Sequence, residues 1–444
     1  MLTRRILLPL LAVILVLGTI RIWISASGRP NLYRVAQSLG LTTRPIMSDF
    51  QRPSAEGDSL PARREELTLM TFNIRYDNPL ARRYPDPPGP DRTLPPPIYG
   101  EWSWAARRFA VSDIALFHSP DIVVFQEVLH SQLLDLAYLL GEDYDWVGVG
   151  RDDGKQAGEA VPVFYKRDKF SLASEQDGGV GTGGVEHFWL SETPSVVASV
   201  GWDAQLTRMC THLALKLRTD AAVSSNAHPS LRAPIHVFST HYDHKGVVAR
   251  AKSSDLIVEK ANVARRHSRR TTGLEPLVLL AGDLNSPREE QGWQNLVKGH
   301  HGVPSQSSFL GSPFSFYDLQ LANPTRYGLP YRTDYSAGGG KNNTKLKREQ
   351  SPQTRRGILS TNYGPPSSFT DWTASRDRSA AEDRIDFLMV GDNQPITSDG
   401  SSNEAGWKIK TVGIVSSWSA IEGGIRASDH RPVMARLRWE AGQE

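Results

Sequence analysis

The stretch Asp121-Ile-Val-Val-Phe-Gln-Glu-Val128 decides the fold class of this chain. Its compact apolar run, ended by polar residues, is typical of a short strand buried on both faces. Apolar residues at helical spacing precede it between Ala106 and Phe117, and Ser119-Pro120 stops that helix. A second helical stripe follows from Leu129 to Leu140 and closes at Gly141. A buried strand between two amphipathic helices predicts an α/β domain.

The same alternation of strands and helices continues on both sides of this stretch. A strand is predicted at Leu67-Thr-Leu-Met-Thr-Phe-Asn-Ile74, where the folded domain begins. A helix face runs from Val247 to Ala261. Further strands are predicted at Ile235–Tyr242, Pro276–Leu284, Arg384–Val390 and Pro432–Trp439. With the β-rich stretches between these elements, the pattern indicates two sheets with outer helices.

The N-terminal 65 residues are predicted to lie outside the folded domain. Arg4 and Arg5 precede an apolar run that ends at Ile20, or at Ile24 if Arg21 reaches the membrane interface. A run of this length is marginal for a span, for which about 20 residues are typical. Residues 1–27 are therefore either a cleaved signal peptide or a signal anchor that crosses the membrane with residues 6–24. Both alternatives predict the secretory pathway and an extracytosolic domain, secreted or membrane-anchored.

Three further segments lack the pattern of regular elements. Residues 28–65 are interpreted as a linker or stem, because they show no sustained periodicity. The segment Pro79 to Gly100 contains eight prolines, which is too many for a helix or a central strand. Residues 331–365 are rich in Gly, Lys, Asn, Ser and Pro and are interpreted as an insertion.

The charge argues against a domain that tracks along nucleic acid. The whole chain has a formal net charge of +3. Its first 65 residues contain nine of the 51 Lys and Arg and four of the 48 Asp and Glu, so the rest has two more acidic than basic residues. Domains that bind long stretches of nucleic acid usually carry a basic excess. The single cysteine, Cys210, also excludes an internal disulfide.

Polar side chains stand where the predicted strands end. These are Asn73, Glu127, His241, Asp283 and Asn285, with Asp429 and His430 just before the final strand. Strand ends are rigid and converge, so α/β enzymes assemble their sites there. The set offers hard oxygen donors, histidines and no usable thiol, which favours Mg²⁺, Mn²⁺ or Ca²⁺ over structural zinc. Asp386 lies between apolar strand residues, where a carboxylate is costly unless it is paired.

Six motifs occur in one order along the chain and together resemble a known superfamily. They are Thr71-Phe-Asn-Ile-Arg-Tyr-Asp-Asn-Pro79, Gln126-Glu127, Ser239-Thr-His-Tyr-Asp-His244, Gly282-Asp-Leu-Asn285, Arg384-Ile-Asp-Phe387 and Ser428-Asp-His-Arg-Pro432. This order resembles the endonuclease/exonuclease/phosphatase superfamily, which includes nucleases, inositol-polyphosphate 5-phosphatases and neutral sphingomyelinases. Stretches such as Gly150-Arg-Asp-Asp-Gly154 further resemble a little-characterised microbial and fungal branch that has no established substrate.

The resemblance implies a fold and a metal site. The fold is a four-layer α/β/β/α sandwich with two central mixed β-sheets, and residues 66–444 would be its catalytic domain. Asn73, Glu127 and Asp429 would hold Mg²⁺ or Mn²⁺, with Glu127 as the principal ligand. Such an ion suits hydrolysis of a phosphate ester, because it offsets the charge that in-line attack builds on the phosphoryl oxygens.

The resemblance also implies roles for five other side chains. Asp283 and Asn285 would orient or deprotonate the attacking water. His430, held by Asp386, would polarise a phosphate oxygen or act as acid and base. His241 would face the leaving group, although the superfamily leaves open which histidine protonates it. An acid–base group of this kind contributes on the order of 100- to 10,000-fold to the rate.

Three residues are weaker candidates for contacting the substrate. Arg208 is interpreted either as a phosphate ligand or as an ordinary arginine on a strand face. Asp243 and His244 would support His241, or they would shape the turn before Gly246.

The sequence therefore predicts a metal-dependent phosphoesterase that acts on a phosphodiester or phosphomonoester. Nucleic acid or a nucleotide is slightly favoured as its substrate. The alternative is the headgroup of a membrane lipid, which the N-terminal apolar segment would bring within reach. A non-catalytic, ligand-binding member of the fold is the alternative from another class, and it predicts that site residues are lost. No protein partner is predicted.

Overall fold

The computed structural model of the chain describes nine segments. They are residues 66–81, 101–218, 231–304, 314–322, 362–372, 384–393, 396–397, 405–419 and 425–440. The predicted signal or anchor, the stem, and most of the proline-rich loop and the insertion lie outside these segments. Among the helices that the structure describes, none is long and apolar enough to cross a membrane.

Strands and helices follow one another along the described segments. The strands are β1 Glu66–Asn73, β2 Ile122–Gln126, β3 Tyr144–Val147, β4 Val163–Lys166, β5 Phe170–Leu172, β6 Val185–Trp189, β7 Met209–Leu217, β8 Ile235–His241, β9 Leu277–Asp283, β10 Phe316–Asp318, β11 Asp386–Gly391, β12 Ile396–Thr397, β13 Gly406–Ile414, β14 Trp418–Ser419, β15 Ile425–Arg426 and β16 Val433–Glu440. The α-helices are α1 Trp104–His118, α2 His130–Leu139, α3 Val247–Thr272, α4 Gln291–Gln294 and α5 Leu319–Ala322. A short 3₁₀-helix spans Glu175–Asp177.

Fourteen of these strands form two seven-stranded sheets, and β14 and β15 pair as a separate two-stranded sheet. The first has the order β12-β13-β16-β1-β2-β4-β3, and the second has the order β10-β11-β9-β8-β7-β5, with β6 also paired to β7. The pairs β1–β2, β12–β13 and β8–β9 are parallel, while the remaining pairs in both sheets are antiparallel. Both sheets are therefore mixed, as predicted.

The main hydrophobic core lies between the two sheets. Leu67 and Ile122 of the first sheet share one buried cluster with Val237, Leu279 and Leu388 of the second. Helices α1 and α2 cover a second cluster on the outer face of the first sheet, and α3 covers a third on the outer face of the second. The order of layers is α/β/β/α, which confirms the predicted four-layer sandwich.

Strand β2 shows why the deciding stretch has no alternation of apolar and polar residues. Ile122 and Val124 belong to the core between the sheets, whereas Val123 and Phe125 pack beneath the outer helices. A strand between two layers has no solvent-facing side, so both of its faces must be apolar. Full burial of each such side chain stabilises the fold by about 1.5–3 kcal/mol. This packing fixes the strand end from which Glu127 projects.

Helix α3 is longer than the sequence pattern predicted. The apolar stripe ends at Ala261, but the helix continues to Thr272. Its last turns bury the small residues Ala264 and Ser268, which leave little hydrophobic signal. Gly273 ends the helix in the left-handed conformation, with φ 73°, where glycine is favoured because it has no Cβ.

Candidate active site

Neighbouring strands bring polar side chains together at one end of the sandwich. In the second sheet His241 of β8 lies in register with Asp283 of β9, and Asp283 lies in register with Asp386 of β11. Neighbouring strands are about 5 Å apart, so the sheet itself sets the spacing of these three groups. In the first sheet Asn73 ends β1, and Glu127 follows β2, its parallel neighbour.

Asn73 joins the two sheets at this end. Its Nδ2 donates to Glu127 Oε1 at 3.0 Å and to Asp283 Oδ2 at 2.9 Å. Its Oδ1 accepts a hydrogen bond from the Arg75 backbone at 3.0 Å. Glu127 itself has φ 61°, a left-handed conformation that is strained for a residue with a side chain. The hydrogen bonds of Asn73 therefore hold two carboxylates in place across the gap between the sheets.

The polar strand ends surround a cavity of about 570 Å³. Six of the eight predicted site residues line it: Glu127, His241, Asp283, Asn285, Asp429 and His430. Asn73 and Asp386 are fully buried and lie behind this lining. The sequence analysis did not identify several other residues of the lining, namely Arg75, Tyr76, Glu101, Glu159, Phe369, Asp371 and Trp372.

His430 and Asp386 form a buried ion pair beside Asp283. His430 Nδ1 lies 2.8 Å from Asp386 Oδ2, and His430 Nε2 lies 3.7 Å from Asp283 Oδ2. Burial opposes a charge on the ring, but the charge and hydrogen bond of Asp386 raise the pKa of His430 to about 10. Burial, together with the charge of Asp386, raises the pKa of Asp283 to about 7. The pocket thus combines a cationic imidazole with a carboxylate that exchanges protons near neutral pH.

Glu127 and Asp429 bring two carboxylates into the same buried region. Burial raises the pKa of Glu127, but the charge of Arg75 and the hydrogen bond from Asn73 outweigh it and lower this pKa below its ordinary value. Burial raises the pKa of Asp429, and the charge of Glu127 raises it further against the opposing charge of His430. A divalent cation would relieve this repulsion, and carboxylate oxygens are ligands that Mg²⁺ prefers. The two carboxylates therefore fit a metal ion.

Asp283, Asp386 and His430 form a second group that could hold a metal. Each offers one ligand atom, and these atoms lie within 4.8 Å of one another. However, His430 Nδ1 already shares a hydrogen bond with Asp386, and Asp283 Oδ2 accepts one from Asn73. All three side chains of this group are therefore already linked to a neighbour in the pocket.

Hydrogen bonds from neighbouring segments hold the chain around His430. Ser428 Oγ donates to the Asn73 carbonyl at 2.7 Å and accepts from the His430 amide at 3.1 Å. Thr370 binds the Asp429 carbonyl through both its amide and its hydroxyl, each at 2.7 Å. The Phe369 ring lies against the imidazole of His430, with centroids 5.0 Å apart. Phe369, Asp371 and Trp372 also line the cavity, so this segment is part of the pocket wall.

The three weaker candidates, Arg208, Asp243 and His244, lie close together, but their side chains have different partners. Arg208 is buried and donates to His241 Nδ1 at 2.9 Å. His244 lines the cavity, with its Nδ1 3.5 Å from Arg208. The Asp243 carboxylate accepts backbone hydrogen bonds from Lys245, Gly246 and Leu206 at 2.8–3.1 Å. Asp243 therefore shapes the turn before helix α3, which is one of its two predicted roles.

Glu159 is the residue of the pocket that sequence reasoning missed most clearly. It accepts two hydrogen bonds from Arg151, at 2.7 and 3.0 Å. Burial, followed by the charge of Glu127, raises the pKa of Glu159. Only the similarity of Gly150–Gly154 to the microbial and fungal branch pointed to this region.

The chain is similar in sequence and in fold to known proteins. Residues 70–430 match the profile of the Endonuclease/Exonuclease/phosphatase family. An endonuclease/exonuclease/phosphatase from Bacteroides vulgatus is 26% identical, with a TM-score of 0.52 over 84% of this chain and 99% of that one. A mannosyl-6-phosphatase from Bacteroides thetaiotaomicron is 25% identical, with a TM-score of 0.51 over 84% of this chain and 99% of that one. No curated protein matches the chain at a significant level.

Proposed function

This chain belongs to the endonuclease/exonuclease/phosphatase family, and we propose that it uses a divalent metal ion to hydrolyse the phosphate ester of a small alcohol. Members of this family are hydrolases that act on phosphoester bonds, so the chain is a phosphoester hydrolase. The observation that supports the proposed chemistry is the meeting of Asp283, the His430–Asp386 pair, Glu127 and Asp429 at one cavity. All eight predicted residues are present, which argues against a non-catalytic member of the fold.

In this proposal Glu127 and Asp429 hold the metal, which is Mg²⁺ or Mn²⁺. When bound, such an ion offsets charge on the phosphoryl oxygens and lowers the pKa of a coordinated water. Asn73 was expected to be a ligand itself, but its amide nitrogen donates to both Glu127 and Asp283. We therefore propose that Asn73 orients these two carboxylates.

Asp283 is the proposed base for the attacking water. Its pKa of about 7 allows it to take up a proton near neutral pH. The amide of Asn285 donates to Asp283 Oδ1 at 2.8 Å, which leaves the position of the carboxylate well defined. The cationic His430 would neutralise charge on a phosphoryl oxygen as the bond breaks.

The walls of the cavity favour a small substrate over a polymer. Its volume of about 570 Å³ is within the range of sites for small molecules. The lining contains six carboxylates and two arginines, so it offers no basic surface to the neighbouring phosphates of a nucleic acid strand. Carboxylates accept hydrogen bonds from hydroxyl groups. We therefore propose a polyhydroxylated alcohol, such as a sugar or a nucleoside, as the leaving group, and the similarity to a mannosyl-6-phosphatase supports the sugar.

A lipid headgroup is the second candidate, because apolar side chains are exposed beside the cavity. Leu206 lines the cavity and is 39% exposed. Its amide donates to Asp243, which also binds the backbone just before Val247 and Val248. Both valines are about half exposed. Exposed apolar groups next to an active site are a feature of enzymes that work on membrane surfaces.

Substrate profiling tests this proposal. The purified protein, with and without Mg²⁺ or Mn²⁺, is incubated with mannose 6-phosphate, nucleoside monophosphates, oligonucleotides, plasmid and vesicles that contain sphingomyelin or phosphoinositides. We expect metal-dependent phosphate release from the small esters, and release to fall at least 100-fold in Glu127→Gln. Glu289→Gln, an exposed carboxylate that does not line the cavity, is the matched control.

The outcomes separate the candidates. Faster cleavage of plasmid or oligonucleotide than of any small ester would overturn the proposed substrate class and restore the nucleic acid prediction. Activity confined to vesicles would favour the lipid. Metal-independent activity, or full activity of Glu127→Gln, would overturn the metal mechanism itself.

A further inference from the structure

His241 has a cationic partner on the ring nitrogen that usually faces an acceptor. Arg208 Nη1 lies 2.9 Å from His241 Nδ1, and both side chains are buried. The guanidinium carries only N–H donors and does not lose a proton in proteins. Nδ1 of His241 must therefore be the acceptor of this hydrogen bond. A neutral imidazole with an unprotonated Nδ1 carries its proton on Nε2.

The contacts of His241 Nε2 are consistent with this tautomer once the side-chain amide of Asn285 is turned over. His241 Nε2 lies 3.0 Å from Asn285 Nδ2, which also donates to the Tyr242 carbonyl at 3.0 Å. Two donors cannot both bind one neutral ring that has a single free acceptor. Arg208 has no alternative atom to offer, whereas the Asn285 amide can turn its oxygen toward Nε2 in exchange for the Tyr242 hydrogen bond. The conflict is therefore resolved at Asn285.

The charged groups around His241 come from every element packed against it. They are Arg208 just before β7, Arg151 and Glu159 of the loop before β4, His244 after β8, Asp283 of β9 and His430 before β16. Burial, followed by the charges of Arg208 and Arg151, lowers the pKa of His241 well below its ordinary value. Glu159 Oε2 lies 3.8 Å from Nδ1, but it is engaged by both hydrogen bonds of Arg151. These surroundings therefore do not stabilise the doubly protonated, cationic form of His241.

We propose that Arg208 is a positioning residue that holds His241 as a neutral imidazole protonated on Nε2, so that His241 binds the substrate through a hydrogen bond and does not donate a proton to the leaving group. This inference rests on the proposed function, in which the cavity holds a phosphate ester. Among the alternatives that the superfamily leaves open, it removes His241 from the role of general acid.

The hydrolysis balances without a proton from His241. The oxygen of water forms a bond to phosphorus, and its proton passes to Asp283. The bond between phosphorus and the alcohol oxygen breaks, and its electron pair leaves with that oxygen. The alkoxide takes a proton from solvent water, and the hydroxide that remains takes the proton from Asp283, which regenerates the carboxylate. The Nε2–H of His241 stays on the ring and, when substrate binds, exchanges the Asn285 oxygen for an oxygen of the phosphate group.

Two aryl phosphates test the role of His241. Phenyl phosphate leaves as a more basic oxyanion than 4-nitrophenyl phosphate, so only its cleavage gains much from a general acid. His241→Gln keeps an N–H donor but cannot transfer a proton. We expect this variant to lower kcat by the same factor, within about threefold, for both substrates. A loss at least tenfold larger for phenyl phosphate would show that His241 is the acid and overturn the proposal.

Nuclear magnetic resonance tests the role of Arg208 without any need for activity. In ¹⁵N-histidine-labelled protein, the His241 signals are assigned by their absence in His241→Gln. Between about pH 6 and 8, where an ordinary histidine titrates, we expect a constant Nε2–H imidazole in the wild type and in Arg208→Lys. Arg208→Met has no donor for Nδ1, so its neutral ring should shift toward the Nδ1–H tautomer, and Arg266→Gln, an exposed arginine on α3, should match the wild type.

The results of these two experiments distinguish a failure of this inference from a failure of the proposed function. A His241 that titrates in the wild type, or that keeps the Nε2–H tautomer unchanged in folded Arg208→Met, would overturn the role of Arg208. If the wild type cleaved no phosphate ester at all, the proposed function would fail, while the resonance measurement would still decide the tautomer.

Discussion

Asp386 keeps a positive charge on His430 in a place where burial would remove it. The 2.8 Å contact between Oδ2 and Nδ1 and the negative charge together hold the pKa of His430 near 10. Asp386→Asn would remove that charge and let the pKa fall, so the cation that stabilises the phosphoryl oxygens would be lost at neutral pH. We expect kcat to drop about 100-fold or more, measured at saturating Mg²⁺ on the best small ester.

Asp392→Asn is the matched control for this prediction. Asp392 also lies close to a histidine, with its Oδ2 3.3 Å from His300 Nε2, but it does not line the cavity. Its substitution should leave kcat within about threefold of the wild type. If Asp386→Asn kept comparable activity and a native circular dichroism spectrum, His430 would not act as a cation.

Some site residues could be recognised from the residues next to them in the sequence, and others could not. Asp283 and Asp386 follow or interrupt apolar runs, and both proved to be buried at strand ends. Glu159 lies in a glycine-rich loop, where a carboxylate is ordinarily solvated. It reaches the pocket only because this loop folds back so that Ala160 pairs with Val128. Contacts made through such a long-range bridge leave no trace in local periodicity.

Helix α1 supports the active site through one fully buried side chain, Arg107. Its guanidinium donates to the carbonyls of Trp102, Ile74 and Ala427 at 2.6–2.8 Å. It thereby ties the chain after β1 to the segment before Asp429. Arg107→Met would leave these buried carbonyls without their donor, which should lower the free energy of unfolding by about 3–5 kcal/mol.

Urea denaturation of Arg107→Met and Arg108→Met measures this difference. Arg108 follows directly on the same helix, but its side chain is 38% exposed and pairs with Asp135 at 3.4 Å. An exposed pair of this kind contributes about 1 kcal/mol or less. Equal losses of stability in the two variants would contradict the structural role of Arg107.

Two buried histidines beneath helix α3 make the stability of the fold dependent on pH. His212 Nε2 lies 3.0 Å from His236 Nδ1, and His236 Nε2 lies 2.6 Å from Ser268 Oγ of α3. Burial lowers the pKa of both rings. The unfolded chain therefore binds two protons below about pH 6.5 that the native state does not bind. The full contribution of this pair to the free energy of unfolding is present above that pH. Below it, the free energy of unfolding should decline by up to about 2.7 kcal/mol per pH unit.

Urea unfolding at about pH 7.5, 6.5 and 5.5 tests this dependence. His236→Asn should lose stability overall but show a slope shallower by about 1.4 kcal/mol per pH unit, because one buried ring is gone. His267→Gln, on the same helix but partly exposed, should keep the slope of the wild type. Identical slopes in all three proteins would mean that these buried rings do not control acid stability.

The strongest elements of the fold were predictable because their patterns are local. Strands β2 and β9 contain continuous apolar runs, and α1 and α2 carry clear apolar stripes, so each was predicted within a few residues of its observed bounds. The short strands between β3 and β7 were predicted only as a β-rich stretch. Their pairing is set by partners far along the chain, as in the register of β6 with β7. Which sheet a strand joins is therefore a property of the tertiary fold.

The predictions for the N-terminal segment concern residues that precede the described fold. The described residues from 66 onward form the sandwich, whereas the predicted signal or anchor and the stem precede them. Entry into the secretory pathway stays a prediction. Expression in a host that processes signals, followed by mass measurement of the mature N-terminus, distinguishes cleavage near Ser25–Ser27 from retention of residues 6–24. A protein that keeps Met1 and stays soluble in the cytosol would contradict both alternatives.

The charge of the whole molecule leads to a prediction about salt. Outside its first 65 residues the chain has two more acidic than basic residues, and six carboxylates against two arginines line the cavity. An enzyme that contacted six to ten phosphates of a polymer would lose about 10³- to 10⁵-fold in affinity between 50 and 200 mM salt. A small ester has only one phosphate group. Dissolved salt screens the charge of a phosphate inside a pocket much less than that of a phosphate on an exposed surface. We expect kcat/KM on the best small ester to change less than about fivefold over that range. A steep fall, accompanied by plasmid cleavage at low salt, would mean that a basic surface outside the described residues recruits nucleic acid.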